Sequence, residues 1–326
     1  EKNRGKVESV LSILPLIATI VVLAVAGAIG ANAKPDKSHQ EAIASLGITS
    51  ADYLAKPWLL FFIIFGAITS TIGIVCFFLL PKDEIEPNKE SNYWKNLFYG
   101  FKPSVIKKNR DLYISLLAFM AFNMAIDAFM PYFMVYFQNS KEYHGLAMSG
   151  LNFYLPLGAI LLIASIIVVI LGLTIMDKVE KTKLLLPALS VCGLGFLFMF
   201  FSLDTWAVII SGILMMSGYL VGTAICGAIV RNETPKEEVG LFQGVRMFFT
   251  VLIPMIVGSS VSDATMRAAY GTYIDPTYGT TVTAPNEYMF LVALGFILIA
   301  FIPAVWLFLR KRKEEANASS NQEIQK

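Results

Sequence analysis

The chain has 326 residues, of which 56% are hydrophobic and 15% are charged, and its formal net charge is +2. A soluble domain usually carries about 25% charged residues, so this composition excludes an ordinary soluble protein and indicates lipid as the solvent. The small net charge gives no sign of nucleic-acid binding. The three cysteines all lie in apolar runs, where we expect packing residues rather than disulfide or metal partners.

Eight apolar runs are each long enough to cross a hydrocarbon core as a helix, which takes about 20 residues. In chain order they cover residues 10–32, 57–80, 112–136, 154–176, 184–203, 206–230, 242–261 and 288–309. Each must be helical, because an isolated segment in lipid has to satisfy its own backbone hydrogen bonds. The expected fold class is therefore an all-α integral membrane protein. The polar start is expected to be a truncated loop between helices, since the run after it is too long for a signal peptide.

The distribution of Lys and Arg predicts the orientation of these spans. If the first loop is cytoplasmic and the sides alternate, 21 of the 26 basic residues fall inside and five fall outside. A missed or invented span would have destroyed this asymmetry. We therefore expect a multi-pass protein with both ends of the chain in the cytoplasm. The membrane that we expect for it is a bacterial plasma membrane.

The longest cytoplasmic loop, residues 81–111, divides the spans into two groups. Its second half is predicted to be an amphipathic helix in the headgroup layer, because Trp94, Leu97, Phe98 and Phe101 recur at helical spacing. The alternative is an ordinary solvated linker. Residues 314–326 have no apolar periodicity and are expected to form a disordered tail.

Two loops six spans apart have similar sequences, which suggests a duplicated six-helix unit. Residues 5–10 (GKVESV) lead into the first span, and residues 240–246 (GLFQGVR) lead into the seventh, each after a charged turn. Residues 131–137 (PYFMVYF) end the third span. In these features the chain resembles the major facilitator superfamily, and within it the glycoside–pentoside–hexuronide:cation symporter branch that contains the melibiose carrier. Residues 172–183 (GLTIMDKVEKTK) match the superfamily's signature loop only in part, at Asp177 and Lys178.

The resemblance implies a major-facilitator bundle with eight of twelve transmembrane helices present. Residues 1–80 would then hold the last two helices of the N-terminal bundle, 81–111 the central loop, and 112–313 the C-terminal six-helix bundle. It further implies a monomeric secondary transporter that moves a small polar solute, a sugar or glycoside, with H+ or Na+ by alternating access. The alternatives are a major-facilitator exporter of drugs or metabolites and a non-transporting receptor.

Asp127 is the acidic residue that lies well inside an apolar run. A carboxylate at mid-membrane costs roughly 2.5–3.5 kcal/mol, so it normally faces a cavity or a partner. Asn123 lies one helical turn before it, and Pro131, one turn after it, predicts a kink. We expect Asp127 to bind solute hydroxyls or a cation, or to relay a proton. The alternative is a bond to a neighbouring helix only.

Further candidates lie at the two ends of the spans. Tyr132 and Tyr136 are predicted to stack on a sugar ring, or else to belong to the interfacial aromatic belt. Gln243 and Arg246 are expected to form a cytoplasmic gate with Asp177 and Lys178. In that gate Arg246 would pair with Asp177 or Glu238, unless it serves only as a positive-inside anchor. No metal-ligand spacing, phosphate loop or catalytic arrangement occurs, so neither an enzyme nor a resident cofactor is expected.

Overall fold

A computed structural model of the protein describes residues 50–79, 99–138, 145–148, 151–175, 178–235, 238–274 and 281–324, together with Ala18, Val21 and Val25. The described residues are mostly helical and fall into two compact units. The smaller unit contains helix α1 (Ser50–Leu79), which begins ahead of the expected start at residue 57. The larger unit contains the helices that carry the candidate site.

The larger unit starts with a 3₁₀ turn at Tyr99–Phe101. Its helices are α2 (Pro103–Lys108), α3 (Arg110–Phe129), α4 (Phe133–Gln138), α5 (Leu151–Thr174), α6 (Lys181–Phe200), α7 (Thr205–Glu233), α8 (Val239–Met247), α9 (Ile253–Tyr270) and α10 (Tyr288–Ile324). A π turn at Phe248–Leu252 joins α8 to α9. Between α9 and α10, strands β1 (Thr272–Ile274) and β2 (Thr281–Thr283) form a two-stranded sheet.

Six segments of the described chain are long and apolar enough to cross a membrane. They are Phe61–Leu79, Arg110–Gln138, Lys181–Phe200, Thr205–Glu233, Val239–Tyr270 and Tyr288–Glu314. These segments confirm six of the eight expected spans. The fourth expected span is the helix α5, whose apolar stretch Leu155–Leu171 is shorter than the other six. The first, residues 10–32, lies outside the described residues apart from three isolated positions.

Helix α10 runs to Ile324, well past the residue at which the expected disordered tail begins. The structure differs here because residues 310–318 are mostly Arg, Lys, Glu and Ala, which favour helix strongly. Side-chain pairs add to this preference: Arg310 contacts Glu314 at 3.3 Å and Lys311 contacts Glu314 at 3.4 Å. A helix can therefore continue beyond the apolar span without an apolar face.

Helix α3 is central to the bundle and packs against α7, α9 and α10. Phe129, near its end, has its ring 5.4 Å from that of Phe196 on α6 and 6.0 Å from that of Phe290 on α10. Helix α3 then ends, and α4 begins at Phe133 beyond Pro131, which cannot continue the backbone hydrogen-bond ladder. These ring contacts hold α3, α6 and α10 together next to the part of α3 that contains Asp127.

Helices α6 and α7 approach closely through glycines. A Cβ atom added at Gly218 would lie well under 3.0 Å from the backbone of Cys192, and one added at Gly195 would meet the backbone of Met215 in the same way. Gly222, four residues after Gly218, instead faces the ring of Phe122 on α3, at 2.7 Å from such a Cβ. Gly218 therefore permits the close contact of α7 with α6, and Gly222 permits the contact of α7 with α3.

The segment before α3, residues 99–109, packs on the helical bundle, and we call it the connecting segment. Gly100 lies against Val245 of α8, so closely that an added Cβ would collide with the valine side chain. The hydroxyl of Tyr113 donates a hydrogen bond to the carbonyl of Gly100, and the ring of Phe101 lies 5.3 Å from that of Phe248. The expected amphipathic helix lies largely outside the described residues, and its described end is the 3₁₀ turn followed by α2.

Candidate functional site

Asp127 lies in the last turn of α3, two residues before its end, on the side that packs against α9. Its side chain is half-buried. Gly258 of α9 faces it, and a Cβ atom added there would lie 3.2 Å from the Cβ of Asp127. Because glycine has no side chain, the two helices approach closely and leave the carboxylate at the edge of their contact rather than covered by it.

Asn123, one helical turn before Asp127, has a defined structural partner. Its Nδ2 donates a hydrogen bond to the backbone carbonyl of Thr250 at 2.7 Å. In an α-helix that carbonyl would accept from the N–H of residue 254, which is a proline and has no N–H. The side chain of Asn123 therefore supplies a donor to a carbonyl that Pro254 cannot serve, at the π turn of the seventh expected span.

We predict that Asn123→Ala lowers the free energy of unfolding by about 0.6 to 1.7 kcal/mol, the range measured for hydrogen bonds between membrane helices. The carbonyl of Thr250 would lose the bond from Asn123 that compensates for Pro254. Thermal unfolding of the purified protein in detergent measures the loss. Ser190→Ala is the matched control, because the Ser190 hydroxyl bonds only a carbonyl of its own helix. An equal melting temperature for the two variants would contradict this role.

Tyr219 of α7 is the third polar residue on this side of α3, and the sequence did not point to it. Its ring stacks on that of Phe122, with centroids 6.2 Å apart and planes inclined at 21°. Its phenol group interacts electrostatically with the Asp127 carboxylate. We call the surface made by Asn123, Asp127 and Tyr219 the Asp127 face. From the sequence alone, a tyrosine in an apolar, glycine-rich span cannot be distinguished from a packing residue.

The side chain of Asn123 is already hydrogen-bonded to Thr250, so Asp127 is the group on this face that can bind a ligand. Within the described part of the chain, no hydrogen bond or ion pair reaches the Asp127 carboxylate. An ionised carboxylate accepts hydrogen bonds from hydroxyl groups and attracts cations, and a tyrosine ring offers a flat surface and a hydroxyl beside it. This pair of side chains therefore suits a hydroxylated solute or a small cation.

The other two predicted cavity residues lie elsewhere. Tyr136 of α4 is 2% exposed, and its ring lies 5.7 Å from that of Phe290, so it belongs to the aromatic core. Tyr132 lies in the turn between α3 and α4 and interacts electrostatically with Asp263 and Arg267 of α9, whose side chains pair at 2.9 Å. Neither tyrosine is part of the Asp127 face.

Gln243 and Arg246, two of the predicted gate residues, lie at the opposite end of the bundle, where α3 and α8 begin. Gln243 and Arg246 line a cavity of about 640 Å³, together with Lys181 and Arg231. Lys178 is exposed in the turn before α6, and Asp177 lies outside the described residues. The structure therefore brings together two of the four predicted gate residues.

Glu238, one of the two predicted partners of Arg246, has a different contact in the structure. The hydroxyl of Tyr99 donates a hydrogen bond to its carboxylate at 3.1 Å, and this bond raises the pKa of Tyr99. The Tyr99 ring also lies 6.2 Å from that of Phe242, which lines the 640 Å³ cavity. The connecting segment thus contributes to this end of the bundle, which the sequence did not reveal.

Comparison with known families gives one match. The model of the Major Facilitator Superfamily matches residues 1–259 and, in an overlapping second match, residues 157–326. No curated protein matches the chain. Among the described residues, no cluster of His, Cys, Asp and Glu side chains could hold a metal ion. The family matches span the whole chain and agree with its all-helical, multi-pass architecture. This chain therefore belongs to the major facilitator superfamily and is a membrane protein of the secondary-transporter class.

Proposed function

We propose that the protein is a symporter that moves a small polar solute, a sugar or glycoside, together with H+ or Na+. Its spans would lie in a bacterial plasma membrane with both ends of the chain in the cytoplasm, and it would act as a monomer without a cofactor. The observation that carries this proposal is the half-buried Asp127 carboxylate, which no described side chain neutralises. Tyr219 belongs to the same face and interacts with it electrostatically.

The physical argument rests on the cost of a carboxylate inside a span. Keeping an ionisable group there is unfavourable by a few kcal/mol, so it is retained where it has a function or a partner. Hydroxyl groups of a sugar would donate to Asp127, and the aromatic surface of Tyr219 would contact the ring carbons. The resemblance of residues 131–137 and 240–246 to the glycoside–pentoside–hexuronide branch supports the choice of a sugar and of cation coupling.

The test is solute-stimulated cation uptake. The protein is expressed from its natural gene, purified and reconstituted into vesicles. The pH and the Na+ concentration inside the vesicles are then followed after addition of disaccharides, pentosides or hexuronides. We expect at least one of these solutes to drive entry of H+ or Na+, and the same solute to accumulate when a cation gradient is imposed.

Three outcomes would contradict the proposal. Efflux of hydrophobic dyes without sugar-stimulated cation entry would indicate an exporter of drugs or metabolites. Binding of a solute without its accumulation would indicate a receptor. Entry of sugar that stops at equal inside and outside concentrations, whichever ion gradient is imposed, would exclude cation coupling and would limit the assignment to facilitated transport.

A further inference from the structure

A second cavity, of about 560 Å³, lies at the end of the bundle where α3 begins and the apolar part of α10 ends. It does not contain any residue of the Asp127 face. Its lining residues come from α2, the start of α3, the end of α7 and α10, and they are Lys107, Lys108, Asn109, Arg110, Asp111, Leu112, Glu233, Trp306 and Arg310. We call it the basic cavity. It holds four cationic and two acidic side chains.

The two acidic side chains of the basic cavity are already engaged. Asp111 pairs with Arg310, and Glu233 pairs with Lys311 at 3.3 Å. In the described chain no ion pair neutralises the remaining cations of the cavity, which are Lys107, Lys108 and Arg110. Lys107 and Lys108 form the last turn of α2 and are exposed. The cavity therefore presents uncompensated positive charge, which favours an anionic ligand.

Trp306 identifies the depth of the cavity relative to the membrane. Two guanidinium groups lie over its ring, with the Arg110 Cζ 5.0 Å and the Arg310 Cζ 5.3 Å from the ring centroid. Tryptophan and arginine near the end of an apolar span are typical of the boundary between headgroups and hydrocarbon. The apolar segments Arg110–Gln138 and Tyr288–Glu314 begin and end at this level.

An exposed apolar surface on the membrane side of Trp306 favours a lipid over a free anion as the ligand of this cavity. Ile302 and Val305, which precede Trp306 in the apolar part of α10, are 71% and 38% exposed. They lie at helical spacing with Trp306, so they share one side of α10 with it. An apolar strip of this side of α10 thus leads directly from the hydrocarbon to the basic cavity.

We propose that the basic cavity binds the phosphate headgroup of an acidic glycerophospholipid, whose acyl chains lie along Ile302 and Val305. Lys107, Lys108 and Arg110 contact the phosphate, and Trp306 packs against the glycerol region. A lipid bound here bridges α2 and α3 to α10, and so stabilises the packing of the connecting segment against the bundle.

The test is binding of defined lipids to the detergent-purified protein, measured by native mass spectrometry. Dioleoylphosphatidylglycerol is compared with dioleoylphosphatidylcholine, which has the same acyl chains and no net charge. We expect the acidic lipid to bind more tightly, and Lys107→Gln with Lys108→Gln to weaken it by about fivefold for each lysine, the effect of roughly 1 kcal/mol per basic residue near an anionic headgroup. Lys178→Gln, an exposed lysine outside the cavity, is the matched control.

Two further arms separate the sources of the phosphate. Inorganic phosphate and glycerophosphoglycerol, which lack acyl chains, should displace the lipid only at much higher concentration. Ile302→Ser with Val305→Ser should weaken the binding of phosphatidylglycerol without changing the effect of inorganic phosphate. Equal binding of the two lipids would overturn the proposal. So would equal losses in the Lys107/Lys108 and Lys178 variants, or displacement by inorganic phosphate at the concentration of the lipid itself.

Discussion

Replacing Asp127 by Asn is expected to lower solute uptake by about ten- to hundredfold in cells that express the protein. A hydrogen bond to a charged group contributes roughly 1.5–3 kcal/mol, and each 1.4 kcal/mol corresponds to a factor of ten. The amide keeps the size of the carboxylate and one acceptor oxygen, but it has no charge with which to hold a cation or strengthen hydroxyl bonds. Initial rates of uptake of the solute identified in vesicles measure the effect.

The stability of the same variant separates a functional role from a structural one. Removing a charge from a membrane span favours the folded, inserted state, so Asp127→Asn should melt at the same temperature as the natural protein or above it. Asp204→Asn is the matched control, because Asp204 caps α7 by accepting a bond from the N–H of Ala207 at 3.0 Å, and Asn caps a helix equally well. Uptake of Asp127→Asn equal to that of Asp204→Asn would remove Asp127 from the proposed site.

Replacing Gly218 by Ala is expected to lower the melting temperature of the protein markedly. The new Cβ would collide with the backbone of Cys192, which cannot move unless α6 and α7 separate. Overpacking of this kind costs typically 1–3 kcal/mol, and more where the obstacle is backbone rather than a flexible side chain. Unfolding in detergent, followed by intrinsic fluorescence or by loss of the monodisperse species, measures the shift.

Gly295→Ala provides the matched control for this prediction. Gly295 lies inside α10, and no atom lies within 4 Å of the position that its Cβ would take. Alanine favours helix over glycine by about 1 kcal/mol, so this variant should melt at the same temperature or higher. A Gly218→Ala protein as stable as Gly295→Ala would show that α6 and α7 do not pack as closely as described.

The spans could be predicted because each is a local property of the chain. Twenty apolar residues have to be helical in lipid wherever they lie in the fold, and the asymmetry of Lys and Arg provided an independent check on their number. Asp127 could be identified for the same reason, since a carboxylate inside an apolar run is visible without any knowledge of its neighbours. The continuation of α10 to Ile324 was missed because a charged helix has no apolar period to detect.

What could not be predicted depends on residues that are far apart in the sequence. The role of Asn123 requires Thr250 and Pro254, which lie more than a hundred positions away and become its partners only when α3 packs on α9. Tyr219 comes to the same face as Asp127 for the same reason, because α7 packs on α3 and its ring stacks on that of Phe122. Tyr136 was placed in the cavity on its position at the end of a span, but the turn at Pro131 directs it into the aromatic core instead.

The packing of Gly100 on Val245 affects how the helical bundle should be produced in isolation. A fragment that starts at residue 112, where the apolar run begins, would lack Tyr99, Gly100 and the whole of α2. It would expose Val245 to solvent, leave the Tyr113 hydroxyl without its acceptor, and remove the donor that binds Glu238. An expression fragment should therefore begin upstream of Tyr99, because the connecting segment belongs to the folded unit that follows it.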